Sequence, residues 1–129
     1  MIVVDSAAVI DALTARAGTA ELRAQLASED LHAPTLLDFE VVSTLRRLTL
    51  GGHLSEARAA DLLSDFEDLA VQRWPFADGL RRRAFQLRDN LSAYDAAYVA
   101  LAEALACALV TRDGRLARTS GHDARVVVL

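Results

Sequence analysis

The sequence predicts an α/β fold, a single domain over residues 1–129 with a central parallel sheet of about five strands flanked by helices. Short β-branched or apolar runs alternate with longer helical patterns from one end of the chain to the other, which is the pattern of a parallel α/β sheet. No repeat, low-complexity tract or linker interrupts this alternation. A chain of 129 residues also has the commonest size for one domain.

The first elements are predicted from β-branched residues and from turn signals. Ile2–Val4 is a run of β-branched residues and is predicted to be the first strand. A helix over Ala7–Ala17 follows and is expected to end near Gly18, because glycine readily takes the left-handed conformation found after many helices. A second helix is predicted over Thr19–Glu29 and a short second strand over Leu31–Ala33.

The middle of the chain predicts two long helices. One begins at Thr35 and reaches Leu50, where the Gly51–Gly52 pair stops it. The next spans Ser55–Ala70, with Ser55 at the position of its N-cap.

The second half continues the alternation. It contains a strand at Val71–Trp74, a helix at Ala77–Asn90, an alanine-rich helix at Ser92–Ala106, and strands at Ala108–Thr111 and Arg125–Val128. Because crossovers between parallel strands are almost always right-handed, the C-terminal ends of the strands are expected to share one edge of the sheet. Ligands of open α/β sheets bind at that edge.

Composition excludes several classes of protein. The hydrophobic fraction of 53% and charged fraction of 25% exclude a disordered chain. The net charge of −4 is not that of a protein that holds nucleic acid by charge alone. No apolar run is long enough to span a bilayer and the N-terminus lacks a secretory signal, so we expect a cytoplasmic protein with no membrane partner. All 14 basic residues are arginine, which excludes mechanisms that need a lysine.

The cysteine and histidines predict no zinc site. Cys107 is single, cannot form an intrachain disulfide and lies in an apolar run typical of a small buried residue. His32, His53 and His122 are far apart in sequence and lack zinc-ligand spacing, so we expect them in loops or on the surface.

Two aspartates are predicted to meet at the ligand-binding edge. Asp5 follows the first predicted strand and Asp113 follows the fourth, so topology places both at the same edge. Each also has an alternative interpretation as the cap of the helix or turn that comes next.

Two further acidic residues have alternative interpretations. Asp95 stands three residues after Ser92, in the pattern of a capping box, and sequence alone leaves open which edge it occupies. In the helix of Glu40, Asp38 follows Thr35 in the matching T-x-x-D arrangement and can take the capping role. Glu40 lies on a polar stripe of an apolar helix, which is either a solvated face or the lining of a polar cleft.

With these residues in place, the sequence resembles the PIN domain family, and specifically the VapC-type toxins of bacterial toxin–antitoxin modules. The resemblance is carried by MIVVDSAAVIDAL, by LLDFEVVSTLRRL and by LSAYDAAYVALAEALACALVTRDGRLA, and it extends over essentially the whole chain. The last segment is the most specific, since it holds two acidic positions and the passage from helix to strand between them.

The resemblance implies one acidic pocket. Its four carboxylates would be Asp5, Glu40, Asp95 and Asp113, supported by hydrogen bonds from Ser6 and Thr111. Clustered carboxylates repel one another unless a cation offsets their charge, and hard oxygen ligands suit Mg²⁺, for which Mn²⁺ often substitutes. We expect Asp5, Asp95 and Asp113 to be direct or water-mediated ligands and Glu40 to orient or deprotonate the attacking water.

The function implied is a metal-dependent endoribonuclease that cleaves RNA, is restrained by a cognate VapB-type antitoxin and forms a homodimer. Arg112 and Arg115 flank Asp113 and are candidates for contact with RNA or antitoxin. Alternatives are a non-catalytic PIN-like interaction module and a phosphoacceptor signalling domain, although the latter normally needs a lysine. A phosphatase of the haloacid dehalogenase kind would need an aspartate where Ala7 stands.

Overall fold

The computed structural model describes residues 1–129 and contains seven helices and five strands, so the α/β prediction is confirmed. The strands are β1 (Ile2–Val4), β2 (Leu31–Pro34), β3 (Val71–Trp74), β4 (Ala108–Thr111) and β5 (Val126–Val128). The helices are α1 (Ser6–Leu13), α2 (Ala20–Ser28), α3 (Leu36–Leu50), α4 (Glu56–Asp68), α5 (Asp78–Gln86), α6 (Ala93–Leu105) and α7 (Gly114–Arg118). No helix is both long and apolar enough to cross a membrane.

The strand order of the sheet creates a reversal between β1 and β4. All pairs are parallel, and the order is β3-β2-β1-β4-β5. The crossovers from β1 to β2 and from β2 to β3 run in one direction across the sheet. The crossover from β3 to β4 runs in the other direction and passes β2 and β1. With right-handed crossovers, α1 to α4 therefore cover one face of the sheet and α5 and α6 the other. The crevice between β1 and β4 is the switch point at which such sheets bind ligands.

The central strands are buried on both faces, as expected of a parallel sheet between two helical layers. Every residue of β1, β2 and β4 is buried, and Val3 and Leu109 are completely inaccessible to solvent. The alanine-rich helix α6 contacts all three of these strands and is buried continuously over Ala96–Ala102. Its small side chains let the helix lie close to the sheet. The beginning of α6 is thereby held firmly beside the strand ends.

The first helix is shorter than predicted. It ends at Leu13, where the Thr14 hydroxyl donates a hydrogen bond of 2.8 Å to the carbonyl of Ile10. Ala15 and Gly18 both have positive φ, 50° and 79°, so the chain turns twice before α2 begins. The expected stop at Gly18 was therefore wrong by about one turn, because Ala15 takes the left-handed conformation first and the backbone N–H of Arg16 closes the helix on the carbonyl of Asp11.

The capping arrangement expected at the start of α3 was wrong. Thr35 has helical backbone angles and its side chain makes no capping hydrogen bond. Asp38 instead binds the guanidinium of Arg73 on β3 through both carboxylate oxygens, at 2.9 and 3.1 Å. A long-range bidentate ion pair has displaced the local cap.

His32 is not a surface residue. It lies in β2 and is buried, and its Nδ1 accepts a hydrogen bond of 3.0 Å from the Trp74 indole on the neighbouring strand. This pairing satisfies the buried imidazole without a metal.

Candidate active site

Asp5 stands at the C-terminal end of β1 and is buried, with 8% of its surface exposed. One carboxylate oxygen accepts a hydrogen bond of 2.9 Å from the backbone N–H of Ala8, so Asp5 does cap α1. The other oxygen accepts a short hydrogen bond from the Thr111 hydroxyl. Burial, with smaller contributions from the charges of Glu40 and Asp95, raises the pKa of Asp5 to about 6, although these hydrogen bonds lower it.

Thr111 links the ends of the two strands at the switch point. It is fully buried at the end of β4, and its hydroxyl oxygen accepts a hydrogen bond of 2.9 Å from the backbone N–H of Asp113 while donating to Asp5. The hydroxyl therefore fixes the Asp5 carboxylate relative to the chain that carries Asp113. Ser6, the other residue predicted to support the acids, begins α1 without any side-chain hydrogen bond.

Asp113 lies just beyond β4 and also caps the helix that follows. Its Oδ1 accepts a hydrogen bond of 2.9 Å from the backbone N–H of Arg115 at the start of α7. The Arg115 side chain binds the same carboxylate, and these hydrogen bonds lower the pKa of Asp113. The capping and the strand-edge interpretations thus both hold for Asp5 and for Asp113.

The position of Asp95 follows from the connection between α6 and β4. The helix ends at Leu105 and the strand begins at Ala108, so α6 runs antiparallel to β4 and its first turn lies at the C-terminal edge of the sheet. Ser92 accepts a hydrogen bond of 3.2 Å from the backbone N–H of Asp95, but the Asp95 carboxylate makes no hydrogen bond in return. Burial, and then the charge of Asp113, raise its pKa.

Glu40 faces Tyr98 across the interface between α3 and α6. The Tyr98 hydroxyl donates a hydrogen bond of 2.6 Å to Oε1 of Glu40. Tyr98 is buried, and this burial, reinforced by the Glu40 contact, raises the pKa of its phenol, which therefore remains a donor. This contact was not predicted from the sequence. Its signal was the spacing between Asp95 and Tyr98, which places both side chains on the same face of one helix.

The two arginines beside Asp113 have different surroundings. Arg112 donates to the Asp11 carboxylate at 3.0 Å and to the terminal residue Leu129 at 2.5 Å, so its guanidinium joins α1 to the C-terminus. These bonds hold it within the fold, and its contact with RNA or antitoxin stays a prediction. Arg115 is exposed and keeps its guanidinium at the acidic site.

The acidic side chains influence one another without forming a compact metal cluster. No group of three or more is close enough to hold an ion as it stands. The donors nevertheless fit a hard divalent cation, because they are carboxylate oxygens and the half-buried carboxylate of Asp95 has no hydrogen-bond donor of its own. Asp5 and Asp95, with their raised pKa values, are the groups that a cation would stabilise most.

The sequence model of the PIN domain matches residues 2–122. The chain belongs to the PIN domain family. Within this family it is of the VapC type, since it is 46% identical over 129 residues to ribonuclease VapC9 of Mycobacterium tuberculosis, covering 100% of this chain and 98% of that protein. Ribonuclease VapC12 of the same organism is 40% identical over 127 residues, covering 98% and 97% of the two chains.

Solved protein structures share this fold. VapBC2 from Rickettsia felis, solved bound to a DNA fragment from its promoter, superimposes with a TM-score of 0.73. The alignment covers 99% of this chain and 98% of that chain at 12% sequence identity. The PIN fold is therefore kept while most side chains change.

Proposed function

We propose that this VapC-type PIN protein is a divalent-metal-dependent endoribonuclease of the cytoplasm, the toxin of a toxin–antitoxin pair. The observation that supports this proposal is that four carboxylates from different elements influence one another near the β1/β4 switch point: the charges of Glu40 and Asp95 raise the pKa of Asp5, and the charge of Asp113 raises that of Asp95. The four are Asp5 after β1, Glu40 on α3, Asp95 on α6 and Asp113 after β4. The relatives at 46% and 40% identity are named ribonucleases, which supports RNA as the substrate.

Asp5, Asp95 and Asp113 would hold the cation. A divalent ion bound there would lower the pKa of water and neutralise charge that develops on the phosphodiester. Thr111 fixes the Asp5 carboxylate through its hydrogen bond, as residues behind metal ligands commonly do. The protein then needs no nucleophilic side chain of its own.

Glu40 would accept the proton of the attacking water. Tyr98 holds Oε1 of Glu40, while Oε2 makes no hydrogen bond and is free to orient water. The water oxygen forms a bond to phosphorus, its proton passes to Glu40, and the bond from phosphorus to the leaving oxygen breaks. Orientation by a fixed carboxylate is what general-base catalysis requires.

Removal of divalent cations tests this function against a non-catalytic interaction module. The purified protein is dialysed against a chelator and incubated with bacterial total RNA, first without cation and then with Mg²⁺ or Mn²⁺. We expect new RNA ends only when a cation is present, and none from an Asp95→Asn variant treated identically. RNA that stays intact with either cation would exclude the nuclease and favour a binding module. A phosphoacceptor domain is disfavoured already, because the chain contains no lysine.

A cognate VapB-type antitoxin is the partner we propose. The fold is shared with VapBC2 from Rickettsia felis and with FitAcB from Neisseria gonorrhoeae, which superimposes with a TM-score of 0.71 at 20% sequence identity. An acidic pocket of this kind is complementary to a basic side chain of a protein partner.

We also propose that a second copy of this chain covers an aromatic surface made by Phe39, Phe76, Phe85 and Tyr94. These residues are 74%, 38%, 67% and 63% exposed, although aromatic side chains are usually buried. Two adjoining clefts share Phe76 and Ala93 and join the four residues into one surface. Exposed aromatic surfaces of this kind are typical of protein interfaces.

A Phe85→Glu variant tests the homodimer. Because a charge would replace one of the exposed aromatic rings of the proposed contact, we expect the wild type to have the mass of a dimer in light scattering and the variant that of a monomer. The matched control is Leu50→Glu, since Leu50 is 71% exposed but lies at the far end of α3. Equal masses for Phe85→Glu and wild type would contradict this assignment.

A further inference from the structure

Arg115 grips the Asp113 carboxylate with a fork of hydrogen bonds. Its Nη2 lies 2.7 Å from Oδ2, and its Nε lies 3.2 Å from each oxygen. The Arg115 side chain is 80% exposed, whereas that of Asp113 is 29% exposed. The guanidinium therefore reaches from solvent to the edge of the acidic site and occupies both oxygens of one predicted ligand.

This ion pair competes with a cation for the same atoms. Both oxygens of Asp113 are engaged, so an ion that binds Asp113 directly must move the guanidinium away from at least one of them. Arg115 also acts on Asp95, whose pKa its charge lowers. A single positive charge thus offsets two of the four carboxylates in the absence of a metal.

The fork is weak enough to open. Exposed ion pairs contribute little to stability, because water solvates both partners when they separate. The cap of α7, in which the Asp113 carboxylate accepts a hydrogen bond from the backbone N–H of Arg115, does not depend on the Arg115 side chain. Arg112 shows the contrast, since its guanidinium is partly buried between Asp11 and Leu129 and joins parts of the fold.

We propose that Arg115 is a built-in counter-ion that alternates between the Asp113 carboxylate and an RNA phosphate. Without a divalent cation it neutralises Asp113, and when a cation binds it is released and contacts the phosphate backbone beside the scissile bond. The proposal rests on the proposed nuclease function. Arginine suits both partners, because its planar fork binds carboxylate and phosphate in the same bidentate manner.

The test separates cation binding from RNA binding. Mn²⁺ is titrated into the full-length, metal-free protein and free Mn²⁺ is followed by electron paramagnetic resonance, which requires no cleavage. We expect Arg115→Gln to lower the Kd for Mn²⁺ about threefold to fivefold, since the competing ion pair is lost. The matched control is Arg125→Gln, which removes the same charge from an exposed residue that precedes β5 at the opposite edge of the sheet.

The second measurement concerns the substrate. With a short labelled oligoribonucleotide and saturating Mn²⁺, Arg115→Gln is expected to raise KM while kcat changes little, and to reduce the slope of log affinity against log salt by about one. Tighter Mn²⁺ binding together with a higher KM is a combination that simple loss of structure does not produce.

These two measurements distinguish a failure of the counter-ion role of Arg115 from a failure of the proposed nuclease function. If wild type binds Mn²⁺ and cleaves RNA, but Arg115→Gln binds Mn²⁺ as weakly as Arg125→Gln or more weakly, the counter-ion role is overturned and the nuclease stands. If KM is unchanged while Mn²⁺ binds more tightly, the transfer of Arg115 to phosphate is overturned. If wild type binds no Mn²⁺ and cleaves nothing, both proposals fail.

Discussion

Replacing Asp5 with asparagine is expected to lower kcat for RNA cleavage by about a thousandfold or more, the scale of several kcal/mol of lost charge stabilisation. Asp5 is the most buried of the four acids and lies at the centre of the switch point. Asparagine keeps its shape but removes the negative charge that a cation would require. We expect added Mn²⁺ to raise the melting temperature of the wild type, and in the variant this rise should disappear together with the activity.

In the metal-free protein, the same substitution is expected to increase the free energy of unfolding at neutral pH. The pKa of Asp5 in the fold is about 6, above the ordinary 3.8, so the folded state binds more protons than the unfolded chain between these values. The free energy of unfolding of the wild type therefore falls as pH rises from about 4 to about 6. Asparagine does not ionise and avoids this loss. At pH 7 the free energy of unfolding of the metal-free variant should therefore exceed that of wild type by up to about 3 kcal/mol.

Melting curves without metal, recorded at several pH values, check this expectation. Below pH 4 the variant and the wild type should differ little through ionisation, because the carboxyl is protonated in both states of the wild type. If the stability of the metal-free variant relative to wild type does not increase between acid and neutral pH, the charged form of Asp5 does not destabilise the fold. A Mn²⁺ response equal to that of wild type would remove Asp5 from the proposed ligands.

Replacing Thr111 with valine is expected to lower cleavage by about 10-fold to 100-fold, the range measured for residues that orient metal ligands. Valine has nearly the shape of threonine but leaves the buried oxygen of Asp5 without a donor and the N–H of Asp113 without an acceptor. Each unsatisfied group costs about 1–3 kcal/mol, so the melting temperature should fall as well. Since Thr111 also lowers the pKa of Asp5, the pH at which activity appears should rise.

Thr111→Ser is the matched control, because it keeps the hydroxyl and loses only a methyl group. It should retain most of the activity and the original pH profile. If valine and serine variants have the same kcat and pH profile, the hydroxyl of Thr111 does not orient the site and only its packing matters.

The prediction of parallel strands made part of the candidate site predictable. Asp5 and Asp113 follow β-branched or apolar runs, and the rules of parallel sheets place such positions at one edge whatever the details of packing. The alanine-rich helix was likewise predicted, and as α6 it packs against the three central strands. These features depend on backbone topology, which the hydrophobic pattern encodes directly.

Side-chain partners were less predictable. Asp38 fits a local cap with Thr35, yet it binds Arg73 from another element. Tyr98 is buried and also donates a hydrogen bond to Glu40 on another helix. Such choices depend on distances between residues far apart in sequence, and local propensities carry no information about them.

The sequence by itself determined the fold class, the succession of strands and helices, and the acidic residues offered at the strand ends. Only the tertiary structure decided that the first turn of α6 brings Asp95 to the same edge and that Thr111 joins Asp5 to the chain of Asp113. It also decided that the Arg115 guanidinium binds Asp113, whereas that of Arg112 binds Asp11. The physical reason is that periodicity specifies which face of an element is buried, whereas the partner of a buried charge is set by the three-dimensional packing that surrounds it.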